Sequence, residues 1–352
     1  MNDWTYYQLP ALLFMVTGYG LGALVPAILS VTWSSQVRSG STLTRAVKNI
    51  GFTFALVASI VGCLLSLSIL LSGEPLHVEI MQSRLFGPIA LHADSLSAFF
   101  IGVVCLLAAV VSVYSFGYTT EFLGRRHLGL FVFLYNAFLL SMVGVVLSGH
   151  AVLFLFVWEL MALTTFFLIN CEHEEPASRR AAFLYVVMTH IGTAFLVVMF
   201  MLLYSTAGSF SFEAFRSARP GLPAATQSLV FLCATLGFGI KAGIIPFHIW
   251  LPEAHPAAPS NVSALMSGVM IKTGIYGMVR VFFDFLGPDI PEWWGVLILI
   301  VAVTSSVLGV LYALMEHDLK RLLAFHSIEN IGIILIGVGA ALLFTSLGKK
   351  PL

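Results

Sequence analysis

The chain has 352 residues, 59% of them hydrophobic and only 10% charged, where an ordinary soluble domain carries about 25% charge. Its 17 basic and 17 acidic residues cancel, so no basic surface suggests a nucleic-acid partner. A mean hydropathy of +0.97 excludes a soluble globular domain and leaves a polytopic membrane protein embedded in a lipid bilayer.

A spanning helix needs about 20 mostly apolar residues. Such segments are predicted near 9–33, 50–72, 95–117, 128–147, 151–170, 181–206, 226–250, 261–283, 294–314 and 321–345. The expected fold class is therefore an all-α transmembrane bundle of about ten helices. The first segment has no basic leader and is long for a signal peptide, so it reads as a retained helix. The longest connections, 34–49, 73–94 and 207–225, are short. They leave no room for a catalytic domain outside the membrane.

The third segment opens at Asp94 followed by Ser95 and Ser97, an N-cap signature. The seventh is irregular: Gly237, Gly239 and Gly243 surround Lys241, and Pro246 follows. Proline removes a helix donor and clashes with the preceding turn, so a break at Gly243–Pro246 is expected beside a lysine. The stretch Pro252–Pro259 reads as a stiff interfacial turn into the eighth segment.

Lys and Arg in short loops set orientation. Arg38, Arg45, Lys48, Arg125, Arg126, Arg179, Arg180, Lys320 and Arg321 fall in odd-to-even connections. That places those connections in the cytoplasm and the N-terminus outside. Arg84, Arg216, Arg219 and the terminal Lys349 and Lys350 run against the bias.

Five ionisable residues lie inside the apolar runs: Glu159, His190, Lys241, Lys272 and Glu329. A charge in hydrocarbon costs roughly 2.5–3.5 kcal/mol on insertion scales, so these residues mark an ion or proton path by default. Desolvation disfavours the cation of a buried amine, and lysine, unlike arginine, can then exchange a proton near neutral pH. Snorkelling is the competing reading for both lysines. From Lys272 it would have to cover roughly 15 Å of helix. Ser267, Gly268, Gly274 and Gly277 suggest a tightly packed face that turns Lys272 into the bundle. Glu159 is expected to be protonated or paired with a lysine on another helix, and a static structural ion pair is its bland alternative. His190 is open between packing and relay. His326 and Glu329 are three apart and share a helix face, while Asp318, Lys320 and Arg321 read as anchors of the tenth segment.

Cys63, Cys105, Cys171 and Cys233 are isolated, so neither a metal site nor a disulfide framework is supported. No nucleophile–base set or phosphate-binding loop is present. No catalytic residue, metal or cofactor is expected in this chain, and any enzyme label would belong to a complex.

Several stretches resemble a known family. They are His92-Ala-Asp-Ser-Leu-Ser-Ala-Phe-Phe, Phe156-Val-Trp-Glu-Leu-Met, the run from Lys241 to Ser260, Ser263-Ala-Leu-Met-Ser-Gly-Val-Met-Ile-Lys-Thr-Gly, and the run from Asp318 to Leu335. The chain is similar to the antiporter-like membrane subunits shared by respiratory complex I, Mrp-type cation/proton antiporters and membrane-bound hydrogenases. The His-Pro-Ala-Ala-Pro-Ser and Ile-Glu-Asn-Ile-Gly words favour the hydrogenase branch, that of hydrogenase 4 and formate hydrogenlyase, over complex I proper.

The resemblance implies three leading helices at 1–127, a complete five-helix repeat at 128–283 with its broken helix near Lys241–Pro246, and a partial inverted second repeat at 284–352. It implies that Glu159 and Lys241 form a coupled pair and that Lys272 links the first half-channel to the next. Implied partners are other membrane subunits and a peripheral redox arm, in a bacterial or archaeal cytoplasmic membrane. A cation/proton antiporter and a purely structural membrane module are the alternatives. The chain stops at Lys349-Lys350-Pro351-Leu352, where the template has a loop. A fragment is the expectation, with a split subunit or a degenerate paralogue as alternatives, and the outlet half of the family's path would then be missing.

Overall fold

The structure is a computed structural model and describes residues 3–32, 42–123 and 127–348. Arg38, Arg125, Arg126, Lys349 and Lys350, which enter the orientation argument, lie outside the described residues. Among the described residues, ten helices are long and apolar enough to cross a membrane. They are α1 (Asp3–Thr32), α2 (Thr42–Ser72), α3 (Ser95–Tyr118), α4 (Leu128–Leu147), α5 (Ala151–Ile169), α6 (Pro176–Ala207), α8 (Ala224–Ala242), α10 (Ser260–Phe285), α11 (Glu292–Met315) and α12 (Leu319–Ser346). Two short helices, α7 (Phe212–Ala218) and α9 (Leu251–Ala257), lie between spans. In hydrocarbon every backbone polar group must be satisfied internally, so these apolar runs have no alternative to helix.

The segment 73–94, expected as a plain connection, folds into a hairpin of β1 (Leu76–Ser83) and β2 (Gly87–Ala93), antiparallel from Leu76 opposite Ala93 to Ser83 opposite Gly87. Its turn closes on Gly87 at φ 79°, and the Ser83 hydroxyl accepts from the Leu85 and Phe86 amides. His150 ties the turn to the bundle. Its Nδ1 accepts from the Val152 amide, so Nε2 is left to donate to the Phe86 carbonyl at 3.0 Å. Leu91 bridges to Ser148 and His150 to Ser211, so the hairpin, the α4–α5 connection and the α6–α7 connection share one end of the bundle.

The spans alternate in direction. The start of α10 meets the end of α3, where Ser260 N donates to the Tyr118 hydroxyl and Asn261 Nδ2 to Ser115 Oγ, both at 3.0 Å. The end of α10 meets the start of α3 on the hairpin face. On the opposite face, Lys320 donates to the Ala258 carbonyl at 2.9 Å and Arg321 pairs with Glu253 at 2.8 Å. Asp318 caps α12 by accepting from Arg321 N. Lys320 and Arg321 thus tie the start of α12 to the end and the first turn of α9.

One expectation holds here and one is corrected. The break expected in the seventh segment is present, and it cuts the predicted 226–250 run short: α8 stops at Ala242, and Gly243 takes φ 77° at its end. Pro252–Pro259 is not merely a turn, because Leu251–Ala257 is helical with Pro252 in its first turn, a position that needs no amide donor.

Candidate functional site

The α8 break leaves main-chain groups that need partners, and neighbouring helices supply them. The Ile240 carbonyl accepts from Trp250 Nε1 at 2.8 Å, and the Ile245 amide donates to Ser305 Oγ of α11 at 3.0 Å. Lys241, in the last turn of α8, is 1% exposed. Its Nζ donates to the Tyr185 hydroxyl of α6 at 2.7 Å. It also lies 5.0 Å from the Tyr185 ring centroid and 5.6 Å from that of Trp158 on α5. Trp250 packs edge-on against Tyr185 at 5.1 Å, so the broken segment supports the amine's hydrogen-bond partner. At this depth Lys241 cannot snorkel.

Glu159 makes no direct ion pair with Lys241, although its charge reaches the amine. Its contact is His190 of α6, with Nε2 3.4 Å from Oε2. His190 Nδ1 lies 2.8 Å from the Val186 carbonyl. A carbonyl only accepts, so Nδ1 must donate. The facing Nε2 and carboxylate then attract only if one of them carries a second proton. His190, whose side chain is 61% exposed, stays open between packing and relay. The other carboxylate oxygen of Glu159 is buried without a hydrogen-bond partner.

Lys272 sits in α10 just after a π-helical turn over Met266–Met270, in which Ile271 N donates five residues back to the Met266 carbonyl. Widened turns of this kind free carbonyls and are frequent at functional sites. Lys272 Nζ donates to the Ser267 carbonyl. Ser267 Oγ in turn lies 2.6 Å from Ser327 Oγ of α12, next to the His326–Glu329 pair, whose Nδ1–Oε2 distance is 2.5 Å. The glycine face expected around Lys272 is real. A Cβ on Gly274 would come within 2.8 Å of the Phe238 carbonyl oxygen, and one on Gly277 within 2.3 Å of the Phe238 ring.

The sequence-derived residues therefore form two clusters. Glu159, His190 and Lys241 surround the α5–α6–α8 contact, with Tyr185 and Trp158. Lys272, His326 and Glu329 gather around the Ser267–Ser327 contact between α10 and α12. No hydrogen bond or ion pair joins the clusters among the described residues. Between them, the Met270 sulfur contacts both Tyr185 and Thr165.

Three residues escaped sequence reasoning. Tyr185 and Trp158 look like ordinary aromatic residues of apolar runs, although Trp158 directly precedes Glu159. Arg280, near the end of α10, reads as a snorkelling residue but is only 5% exposed. It grips Asp94 through Nη1 at 2.5 Å and Nη2 at 2.8 Å, and donates to Asp284 at 3.0 Å. Asp94 is the expected N-cap, accepting from Ser97 N at 2.9 Å, and it is also one arm of this clasp. Burial opposes its ionisation, but the Arg280 hydrogen bonds and charge outweigh that and hold its carboxyl well below the usual carboxylate range. Arg216 of α7 completes the clasp on Asp284 at 2.8 Å and Glu213 at 3.2 Å.

Ten spans among the described residues, a broken helix and a buried lysine beside it define a multi-pass integral membrane protein whose buried charges suit proton relay. The chain belongs to the family described as NADH:quinone oxidoreductase/Mrp antiporter, TM, whose profile matches residues 148–346. It is 42% identical over 305 residues to hydrogenase-4 component B of Escherichia coli (strain K12), covering 86% of this chain and 44% of that protein. It is 34% identical over 217 residues to formate hydrogenlyase subunit 3 of the same strain, covering 62% of this chain and 34% of that protein. Its fold matches a chain in the structure of the Mrp complex from Dietzia sp. DQ12-45-1b with a TM-score of 0.75 and 24% identity, over 96% of this chain and 36% of that one. The chain thus spans less than half of each of these relatives. The resemblance drawn from the sequence, including its hydrogenase branch, is borne out. Among the described residues no group of three or more His, Cys, Asp or Glu could hold a metal ion.

Proposed function

We propose that this chain is a proton-translocating part of a membrane-bound hydrogenase or complex I-like respiratory assembly. The observation that carries the reading is Lys241, an enclosed amine held by one tyrosine hydroxyl at 2.7 Å beside a helix break. A broken helix beside an ionisable group is how transporters build a midplane site, and lysine can exchange a proton there where arginine cannot. Redox steps in partner subunits would change the protonation of the Glu159–His190 pair. The altered charge would loosen or tighten the hold on the Lys241 proton, which passes toward Lys272 and the His326/Glu329 region. In this reading 1–127 are leading helices, 128–283 form one repeat and 284–352 begin an inverted second repeat. The hairpin face is outside, with the N-terminus, and the Lys320 face is cytoplasmic. The membrane is a bacterial or archaeal cytoplasmic membrane, as the Escherichia coli relatives suggest.

The test is Lys241→Ala in the full-length protein within its complex, reconstituted in vesicles. Redox turnover should continue while proton pumping is abolished. Pumping at normal stoichiometry would refute the reading. Because the family description also covers Mrp antiporters, exchange without a redox partner is the second reading. An imposed sodium or pH gradient across the same vesicles, with no electron donor, separates the two.

A further inference from the structure

Lys272, Tyr276, Arg280 and Asp284 follow one another at intervals of four residues along α10. Residues so spaced share one helix face and climb it by about 6 Å per step. This stripe runs from the lysine of the second cluster to the hairpin face. The proposed relay uses only its lower end, where Lys272 turns away from the stripe toward the Ser267 carbonyl.

The upper end is closed by an arrangement of donors and acceptors. The Tyr276 hydroxyl donates to the Val146 carbonyl of α4 at 3.0 Å. A phenol has one proton, so its oxygen can only accept from its other neighbours. Arg280 Nη2 donates to that oxygen at 3.2 Å and to Ser97 Oγ at 3.1 Å, and the Ser97 hydroxyl lies 3.2 Å from the Tyr276 hydroxyl. Both hydroxyls that could carry a proton from Lys272 to the hairpin face are thus committed to a permanent cation. The guanidinium is fixed in turn by Asp94 and Asp284, and Arg216 backs Asp284. A second π-helical turn over Arg280–Phe285 sets the end of α10 against this cluster.

We propose that Arg280, clamped by Asp94, is an electrostatic seal that keeps protons on Lys272 from leaking to the hairpin face. The proposal rests on the reading of Lys272 as part of a proton path. A fixed arginine at a constriction excludes protons and cations by charge, and its hydrogen bonds leave no hydroxyl free to hand a proton on. Lys272 donates back to the Ser267 carbonyl, while Tyr276 stands one turn further along α10 toward the hairpin face. The seal leaves only the Ser267 side productive. Arg280 is a positioning residue here, since it acts through Tyr276 and Ser97.

The experiment uses the full-length protein in its complex in vesicles, with an imposed pH gradient and no redox turnover. Arg280→Gln should speed the passive decay of the gradient about tenfold or more, equivalent to about 1.4 kcal/mol of barrier. Asp94→Asn should give a smaller increase, because the guanidinium stays but loses its clamp. Adding Tyr276→Phe to Arg280→Gln should return the decay toward the wild-type rate, because the freed hydroxyl is the carrier. A wild-type decay rate in assembled Arg280→Gln complex would overturn the proposal. So would a leak that is indifferent to Tyr276→Phe, since that marks Arg280 as structural only. If Arg280→Gln does not assemble, Asp94→Asn, alone and with Tyr276→Phe, is read by the same two criteria at its smaller expected increase. Turnover-driven pumping in Lys241→Ala reports on the relay alone, so failure of the relay and failure of the seal give different results.

Discussion

Lys241 is held by Tyr185, not by Glu159. The Nζ–hydroxyl distance is 2.7 Å across the α8–α6 contact, and no carboxylate of the described residues lies within ion-pair distance of the amine. An enclosed ammonium with a neutral hydroxyl as its hydrogen-bond acceptor is poorly compensated. It is therefore sensitive to any change of charge on nearby Glu159.

Tyr185→Phe keeps the ring that packs on Trp250 and removes only the acceptor. Leaving a buried donor unsatisfied costs about 1–3 kcal/mol, more when it is charged. Lys241 should then favour its neutral form. Proton pumping by the assembled complex should fall sharply, while redox turnover and the amount of complex in the membrane stay near wild type. Normal pumping in Tyr185→Phe would show that the hydroxyl only fills space.

Glu159 and His190 should act as one unit in the proposed relay. Because the Val186 carbonyl occupies His190 Nδ1, the Nε2–carboxylate contact at 3.4 Å needs one shared proton. Glu159→Gln removes the charge that reaches Lys241 and should abolish pumping. His190→Gln should slow pumping, because the carboxylate loses its proton donor but keeps its place. Infrared difference spectra of the working complex should show a carboxylic acid band that disappears in Glu159→Gln and moves in His190→Gln. A band unaffected by His190→Gln would rule out proton sharing.

The spans, the Gly243–Pro246 break, the Asp94 cap and the Lys272 glycine face were all legible in the sequence. Each depends on composition or on one residue's backbone preference. The hairpin was harder to see, because the alternation over Leu76–Ile80 is short and lies between two strongly apolar runs. Tyr185, Trp158 and Arg280 were missed for another reason. What distinguishes them is a partner on a different helix, and no local pattern encodes which hydroxyl faces Lys241 or which acid meets an arginine. Arg280 did leave one trace, the four-residue spacing it shares with Lys272, Tyr276 and Asp284. The resemblance implied a coupled Glu159–Lys241 pair, and the direct contacts are separate ones, Glu159 with His190 and Lys241 with Tyr185.

At Gly274 the backbones of α8 and α10 come close. A methyl there would meet the Phe238 carbonyl oxygen at 2.8 Å and the Ala242 Cβ at 3.2 Å. The first neighbour is main chain and cannot turn aside. Gly274→Val should push the two helices apart, at a cost of roughly 1–3 kcal/mol. The displacement should part Lys241 on α8 from Lys272 on α10. A lower melting temperature of the purified protein in detergent, together with lost pumping, is the expected result. Gly337→Val, where a Cβ would meet nothing, is the control that should change neither. Equal behaviour of the two variants would show that the close approach is unimportant.

His255 should make the protein acid-sensitive. It lies in α9, outside the spans, and is 2% exposed. Its Nδ1 is 2.9 Å from Ser263 Oγ, and its Nε2 is buried without a hydrogen-bond partner. Burial pushes its pKa down to about 3, and the positive charges of Lys272 and Lys320 push in the same direction. The unfolded chain would take up a proton near pH 6.5. Above that pH neither state is protonated and His255 adds no penalty. As pH falls below it only the unfolded state gains a proton, so stability declines until the folded-state value is reached. At pH 5 the loss is about 2 kcal/mol. Melting temperatures in detergent at pH 7 and pH 5 should therefore differ more for the wild type than for His255→Gln, which keeps a polar side chain of similar size but cannot titrate. Equal acid sensitivity in the two proteins would mean that His255 is hydrated or protonated in the folded state, and that the α9 segment is more open than its packing against α12 indicates.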